Sequence, residues 1–157
     1  MTERARCTVH GTCVVIGDAG ILIRGRPGAG KSDLALRLID QGARLVSDDQ
    51  VRLRLCGGAV IASAPDAIEG MIEVNGMGLI RLDAARIAGE APLTLLVDLV
   101  DGGGIERLPG PQVETVLGVN LPRMALSPFE ASAPAKLRLA VKAARHGIIP
   151  RTSDKDP

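Results

Sequence analysis

Aromatic side chains are almost missing from this chain. Of 157 residues none is Trp, none is Tyr and a single one, Phe129, is Phe. The core must therefore be filled by Leu, Ile, Val and Ala, and a stacking platform for single-stranded nucleic acid, which needs aromatic faces, is all but excluded. An excess of charge of one sign is lacking too. Nineteen Lys and Arg against eighteen Asp and Glu leave a formal charge of +1, so nothing calls for a polyanionic partner or an anionic membrane surface. No apolar run reaches the length of a membrane span, and no signal peptide precedes the first strand-like stretch. Cysteine is scarce: Cys7, Cys13 and Cys56 form an odd, widely spaced set with no CxxC pair. That set argues against a zinc site and for free thiols in a reducing cytoplasm. What is present is an ordinary globular composition, 46% hydrophobic and 24% charged, with the length of one domain.

The pattern along the chain predicts one domain over residues 1–149 and a polar, frayed tail over 150–157. The apolar, β-branched runs Thr12 to Ile16 and Ile21 to Ile23 flank Gly17-Asp18-Ala19-Gly20, which spells a hairpin. A Gly-rich loop follows, then a helix from Lys31 to Gln41 with Leu34, Ala35, Leu38 and Ile39 on one face, ended by Gly42. Leu45-Val46-Ser47 predicts a strand running into Asp48-Asp49, and Val51 to Cys56 with Ala59 to Ala62 predicts a second hairpin turning at Gly57-Gly58. Met71 to Leu82 is an apolar stretch punctuated by glycines, with a short helix expected over Asp83 to Ala88. Thr94 to Val100 reads as a buried strand, Gly102 to Gly104 as a flexible loop and Ala135 to Arg145 as a helix. This mixture predicts an α/β fold whose mixed sheet contains hairpins, and not the regular βαβ alternation of a fully parallel sheet.

Gly25-Arg26-Pro27-Gly28-Ala29-Gly30-Lys31-Ser32 matches G-x-x-x-x-G-K-[ST] at every fixed position, with a strand leading in and a helix leading out. Glycines let successive backbone N–H groups turn inward around a phosphate, and the positive end of a helix faces the same anion. Lys31 is placed to reach the β- and γ-phosphates, and the Ser32 hydroxyl to ligate Mg²⁺.

Such a loop needs a metal-side carboxylate, and a transferase also needs a group to take the acceptor's proton. Two places offer acids. Asp98 ends Leu95-Leu96-Val97 in the manner of a Walker B strand, and Asp48-Asp49 ends the strand after the phosphate-loop helix. Two adjacent carboxylates can divide the work, one orienting the metal and the other facing the acceptor hydroxyl. Glu73, ahead of Gly76, is a further candidate metal ligand, and His10 and Arg107 are candidate phosphate-facing groups. Taken alone, Glu73 also reads as an exposed strand residue, and His10 and Arg107 as surface residues.

These segments together resemble the HPr kinase/phosphorylase family. The likeness runs through His10-Gly11, Gly25 to Ser32, Arg44-Leu45-Val46-Ser47-Asp48-Asp49 and Glu73-Val74-Asn75-Gly76-Met77-Gly78-Leu79-Ile80. The resemblance implies a P-loop kinase core similar to that of phosphoenolpyruvate carboxykinase. It implies transfer of the γ-phosphoryl of Mg·ATP to a serine of HPr, a phosphocarrier protein of the phosphotransferase system, with reverse phosphorolysis as a companion activity. It implies that Asp49 accepts the serine proton with Asp48 beside it, that Ser32 and Glu73 hold Mg²⁺, and that Lys31, His10 and Arg107 position or neutralise phosphate. A cytoplasmic homo-oligomer, hexameric in the family, is expected. Family members commonly carry an extra N-terminal domain, whereas here His10 lies close to the start, so a kinase core alone is expected. Asn75 stands where the family usually has Arg, and Pro134 to Arg138 matches its basic, Gly-containing segment loosely, so the kinase direction is the firmer implication. Two other readings of the same residues are a P-loop small-metabolite kinase and a nucleotide sensor that binds without turnover.

Overall fold

The computed structural model describes residues 5–101, 105, 110 and 112–145. Eleven strands and two helices follow one another in the order β1 (Arg6–His10), β2 (Thr12–Ile16), β3 (Ala19–Arg24), α1 (Lys31–Asp40), β4 (Arg44–Ser47), β5 (Gln50–Cys56), β6 (Ala59–Ser63), β7 (Met71–Val74), β8 (Gly78–Arg81), β9 (Glu90–Leu99), β10 (Gln112–Val116), β11 (Val119–Leu126) and α2 (Ala133–Arg145). The expected helices, both hairpins and the strand into Asp48 are all present. The short helix expected near residue 85 is a single 3-10 turn over Ala84–Arg86. The glycine loop at 102–104, Arg107 and the 150–157 tail lie outside the described residues.

Nine strands form one mixed sheet in the order β1-β5-β6-β9-β3-β2-β4, with β11 also paired to β9 and β10 to β11. Only β3 with β9 and β9 with β11 run parallel; the other pairs are antiparallel. β7 and β8 make a separate two-stranded ribbon. Strand β9 begins earlier than its apolar run, because Glu90, Ala91 and Pro92 pair with β6 before Leu93 joins β3. Its register against β3 shifts after Leu93, which reverses the face its side chains take: Ala91 and Leu93 join one core, Leu95, Val97 and Leu99 the other.

The period-two alternation of the central strands builds both cores. Val14, Ile21, Ile23, Leu95 and Val97 meet Leu34, Ala35, Leu38 and Ile39 of α1 and Leu137 and Val141 of α2. Cys13, Val15, Leu22 and Leu96 face the other way, onto Val51, Leu53, Val60 and Ala62 of the β5–β6 hairpin. No aromatic side chain enters either core. The three thiols are free; Cys13 is buried, which pushes its thiol up to about 12, and Cys7 and Cys56 are exposed. Among the described residues no helix is long and apolar enough to cross a membrane.

Strands β3, β9, β10 and β11 are tied together by charge. Arg24 donates to both oxygens of Asp98 (2.8 and 3.1 Å) and both of Glu114 (2.7 and 2.8 Å), and Arg123 reaches Glu114 at 3.3 Å. The bonds from Arg24 hold the Glu114 carboxyl down at about 2, against burial and with help from Arg123. A carboxylate whose pKa is lower folded than unfolded contributes stability that is present above its unfolded value, near 4.5 here, and lost as pH falls through the folded one. We expect Tm to fall between about pH 4.5 and pH 2. Calorimetry of a Glu114→Gln variant should show a lower Tm at neutral pH and a flatter decline across that range.

Candidate active site

Strand β3 ends at Arg24 and the loop Gly25 to Gly30 turns the chain into α1. Gly28 and Gly30 both have positive φ, 84° and 106°. At Gly30 a Cβ would also lie 2.9 Å from Cζ of the exposed Phe129 ring, which would have to shift. Gly30 caps α1 with no side-chain hydrogen bond, so the first N–H groups of the helix are left for an anion. The Lys31 ammonium folds back onto the loop, donating to the carbonyls of Gly25 (2.7 Å) and Arg26 (3.0 Å). Lys31 is buried. Desolvation lowers its pKa, and the nearby charges of Asp49 and Asp48 act the other way. A buried cation at the head of an uncapped helix is a ready seat for phosphate oxygens. Arg26, Pro27, Gly28 and Ala29 also line a cleft of about 400 Å³. Phe129, 69% exposed, lines the same cleft.

The acid pair divides sharply. Strand β4 delivers Asp48 into the interior, 6% exposed, where its carboxylate accepts three hydrogen bonds. Oδ1 accepts hydrogen bonds from Ser32 Oγ (2.7 Å) and Thr12 Oγ1 (2.9 Å), and Oδ2 accepts one from the Glu73 N–H (3.0 Å). Asp49 then turns the chain at φ 76° and presents a side chain that is 68% exposed. Its carbonyl accepts from the Gly11 N–H at 3.1 Å, and its Oδ1 stands 3.5 Å from His10 Nδ1. His10 reaches that place because β1 pairs with β5 in the register His10 to Gln50. The next residue must be glycine on space alone, for a Cβ on Gly11 would lie 2.9 Å from the Ile23 carbonyl oxygen.

Gly25 to Ser32, Asp48, Asp49 and His10 are thus brought to one place. Glu73 arrives there by its backbone, bonded to Asp48, with its side chain exposed on β7. Arg107 lies outside the described residues. Asp98, the alternative metal-side acid, is held by Arg24 and Arg123 and does not meet Ser32. Its place follows from alternation on β9, because Val97 and Leu99 take the α1 side and Asp98 the opposite one. Thr12 was not predicted. Inside the apolar run of β2 it reads as one more β-branched residue, and only the return of β4 puts its hydroxyl against Asp48.

A sequence profile described as HPr Serine kinase C-terminal domain matches residues 3–144. The chain belongs to that family. Among relatives, it is 36% identical over 153 residues to the HPr kinase/phosphorylase of Bordetella pertussis, covering 90% of this chain and 48% of that protein. It is 47% identical over 81 residues to the HPr kinase/phosphorylase of Clostridium botulinum strain Eklund 17B, covering 52% of this chain and 26% of that protein. The solved HPr(Ser) kinase/phosphatase of Coxiella burnetii superposes with a TM-score of 0.80 at 28% identity, covering 90% of this chain and 98% of that one. This member of the HPr kinase C-terminal domain family therefore spans about half or less of the length of these curated relatives.

The residues fit a magnesium–nucleotide complex. Magnesium beside phosphates is usually bound through one or two carboxylates and a hydroxyl, with phosphate oxygens and water completing the shell. The Ser32 hydroxyl, with the Asp48 carboxylate 2.7 Å from it and Glu73 on the adjoining strand β7, could supply that set. Among the described residues no cluster of three or more His, Cys, Asp or Glu could hold a metal ion by itself.

Proposed function

We propose that residues 1–149 form a P-loop kinase domain, of the phosphoenolpyruvate carboxykinase-like type, that transfers the γ-phosphoryl group of Mg·ATP to a serine of HPr. The observation that carries this is the meeting of Lys31, Ser32 and the Asp48-Asp49 pair at the uncapped start of α1, in a chain of this family. Bound Mg²⁺ would draw charge from the phosphate oxygens. The backbone N–H groups of Gly28 to Ser32 cradle the phosphates, and Lys31 leaves the Gly25 and Arg26 carbonyls to neutralise charge on them. Ser32 donates its proton to Asp48 and keeps its lone pairs free, so it would hold the metal with Glu73 as the second protein ligand. Asp49, exposed and beside Lys31 and His10, takes the proton of the incoming serine hydroxyl. His10 steadies the Asp49 carboxylate, and Arg107 is a further cation for the transferred group. In reverse phosphorolysis inorganic phosphate attacks the phosphoserine, and Asp49 takes the proton of that phosphate and delivers it to the leaving serine oxygen. The three free thiols accord with a reducing cytoplasm, and family resemblance points to a hexamer.

The test is to mix the purified chain with Mg·ATP and HPr and weigh intact HPr. A gain of one phosphoryl group, mapped to a serine, is expected. ATP bound by the chain while HPr stays unmodified would overturn the reading and send the search to small-metabolite acceptors.

A further inference from the structure

Three donors converge on Asp48, and each has a different warrant for being there. Ser32 is in the phosphate loop. The Glu73 N–H belongs to the backbone of β7. The third, Thr12, is wholly buried on β2, and its hydroxyl donates to Asp48 Oδ1 at 2.9 Å. In the alternation of β2, Thr12 takes the same side as Val14, which packs into the α1 core. An apolar β-branched residue would fill that position equally well, and a buried hydroxyl there is stable only because it has an acceptor. That acceptor is the same oxygen that receives the Ser32 proton at 2.7 Å. A carboxylate held by one donor on each oxygen can still rock about its Cβ–Cγ bond. A second donor on Oδ1, fixed to a rigid strand in the core, removes that freedom.

We propose that Thr12 is a positioning residue: it locks the Asp48 carboxylate so that Oδ1 accepts the Ser32 proton, leaving Ser32 oriented toward the metal of the bound nucleotide. The inference rests on the reading of this site as a magnesium–nucleotide centre. Groups that orient a ligand from one shell further out commonly carry tenfold or larger effects on metal affinity or activity. Valine has the shape of threonine without the donor, serine keeps the donor, and cysteine offers a much weaker one.

The experiment measures Mn²⁺ bound by the chain with a non-hydrolysable ATP analogue, by electron paramagnetic resonance of the free ion, with Tm recorded beside it. Thr12→Val is expected to weaken Mn²⁺ binding by about tenfold. Thr12→Ser should stay near the wild type, and Thr12→Cys should fall between. In an Asp48→Asn background, Thr12→Val should add little, because the group it acts through has already been changed. If Thr12→Val does not fold, the serine and cysteine variants carry the comparison. Unchanged Mn²⁺ affinity in the valine or cysteine variant, with or without a lower Tm, would show a packing role only and overturn the proposal. Equal losses from Thr12→Val in both backgrounds would overturn it as well. A wild-type chain that binds the analogue but no Mn²⁺ would overturn the magnesium–nucleotide reading, and the proposal with it.

Discussion

Asp49→Asn should slow phosphoryl transfer to HPr by about 10²–10⁴-fold, the range that a positioned general base typically contributes. The substitution keeps the side chain's size and removes its ability to take a proton. Asp49 is exposed, and among the described residues its carboxylate takes no part in the hydrogen bonds around Asp48, so little of the fold's stability rests on its charge. Its positive φ is tolerated by Asn as readily as by Asp. The expected signature is therefore specific: Tm and nucleotide binding close to the wild type, and single-turnover transfer nearly lost. A variant that kept most of its transfer rate would show that the serine proton leaves by another route.

Asp48→Ala should damage both the site and the fold. It leaves the Thr12 hydroxyl, the Ser32 hydroxyl and the Glu73 N–H without their common acceptor. Each buried polar group left unpaired costs about 1–3 kcal/mol. For a chain of this length each kcal/mol lowers Tm by about 2–4 °C, so a fall of several degrees is expected in calorimetry. Transfer should fall at least as far as in Asp49→Asn, because Ser32 is no longer oriented and the carboxylate nearest to it is gone. Two neighbouring aspartates would thus separate cleanly: one variant stable and inactive, the other unstable and inactive. Equal stability of the two variants would contradict the burial difference between them.

The parts of this arrangement legible in the sequence are those written in local pattern. The phosphate loop has glycine at positions fixed by positive φ, and the helix behind it shows its buried face at a spacing of three and four. The hairpins at Thr12–Arg24 and Gln50–Ser63 announce themselves through alternation and turn residues. Three things were not legible. Strand β1 is short and exposed along most of its length, so it carries no apolar alternation, yet its pairing with β5 sets His10 beside Asp49. The β10–β11 hairpin mixes charge with apolar residues because its Glu114 pairs with Arg24 and its Arg123 with Asp98. The choice between Asp98 and the Asp48-Asp49 pair depends on which face of the sheet each strand shows. That is a property of the register shift in β9 and of the return of β4 beside β2, and neither leaves a mark in the residues themselves.

Phe129 illustrates the same limit in the other direction. The sole aromatic residue would be expected in the core, where its large apolar surface stabilises most. Here it stays largely exposed, with its ring against Gly30 of the phosphate loop. Arg37 of α1 donates to the carbonyl of Pro128 and so ties the segment before Phe129 to the helix that follows the loop.

In the proposed site Asp48, and not Asp98, serves the metal side of the phosphate loop. The most direct measurement is a crystal structure of the chain with Mn²⁺ and a non-hydrolysable ATP analogue, with the ion located by its anomalous scattering. The expected result is a single peak beside Ser32 Oγ, with the Ser32–Asp48 hydrogen bond and the Arg24–Asp98–Glu114 ion pairs intact. A peak on Asp98, with Arg24 displaced and Ser32 still bonded to Asp48 alone, would contradict it.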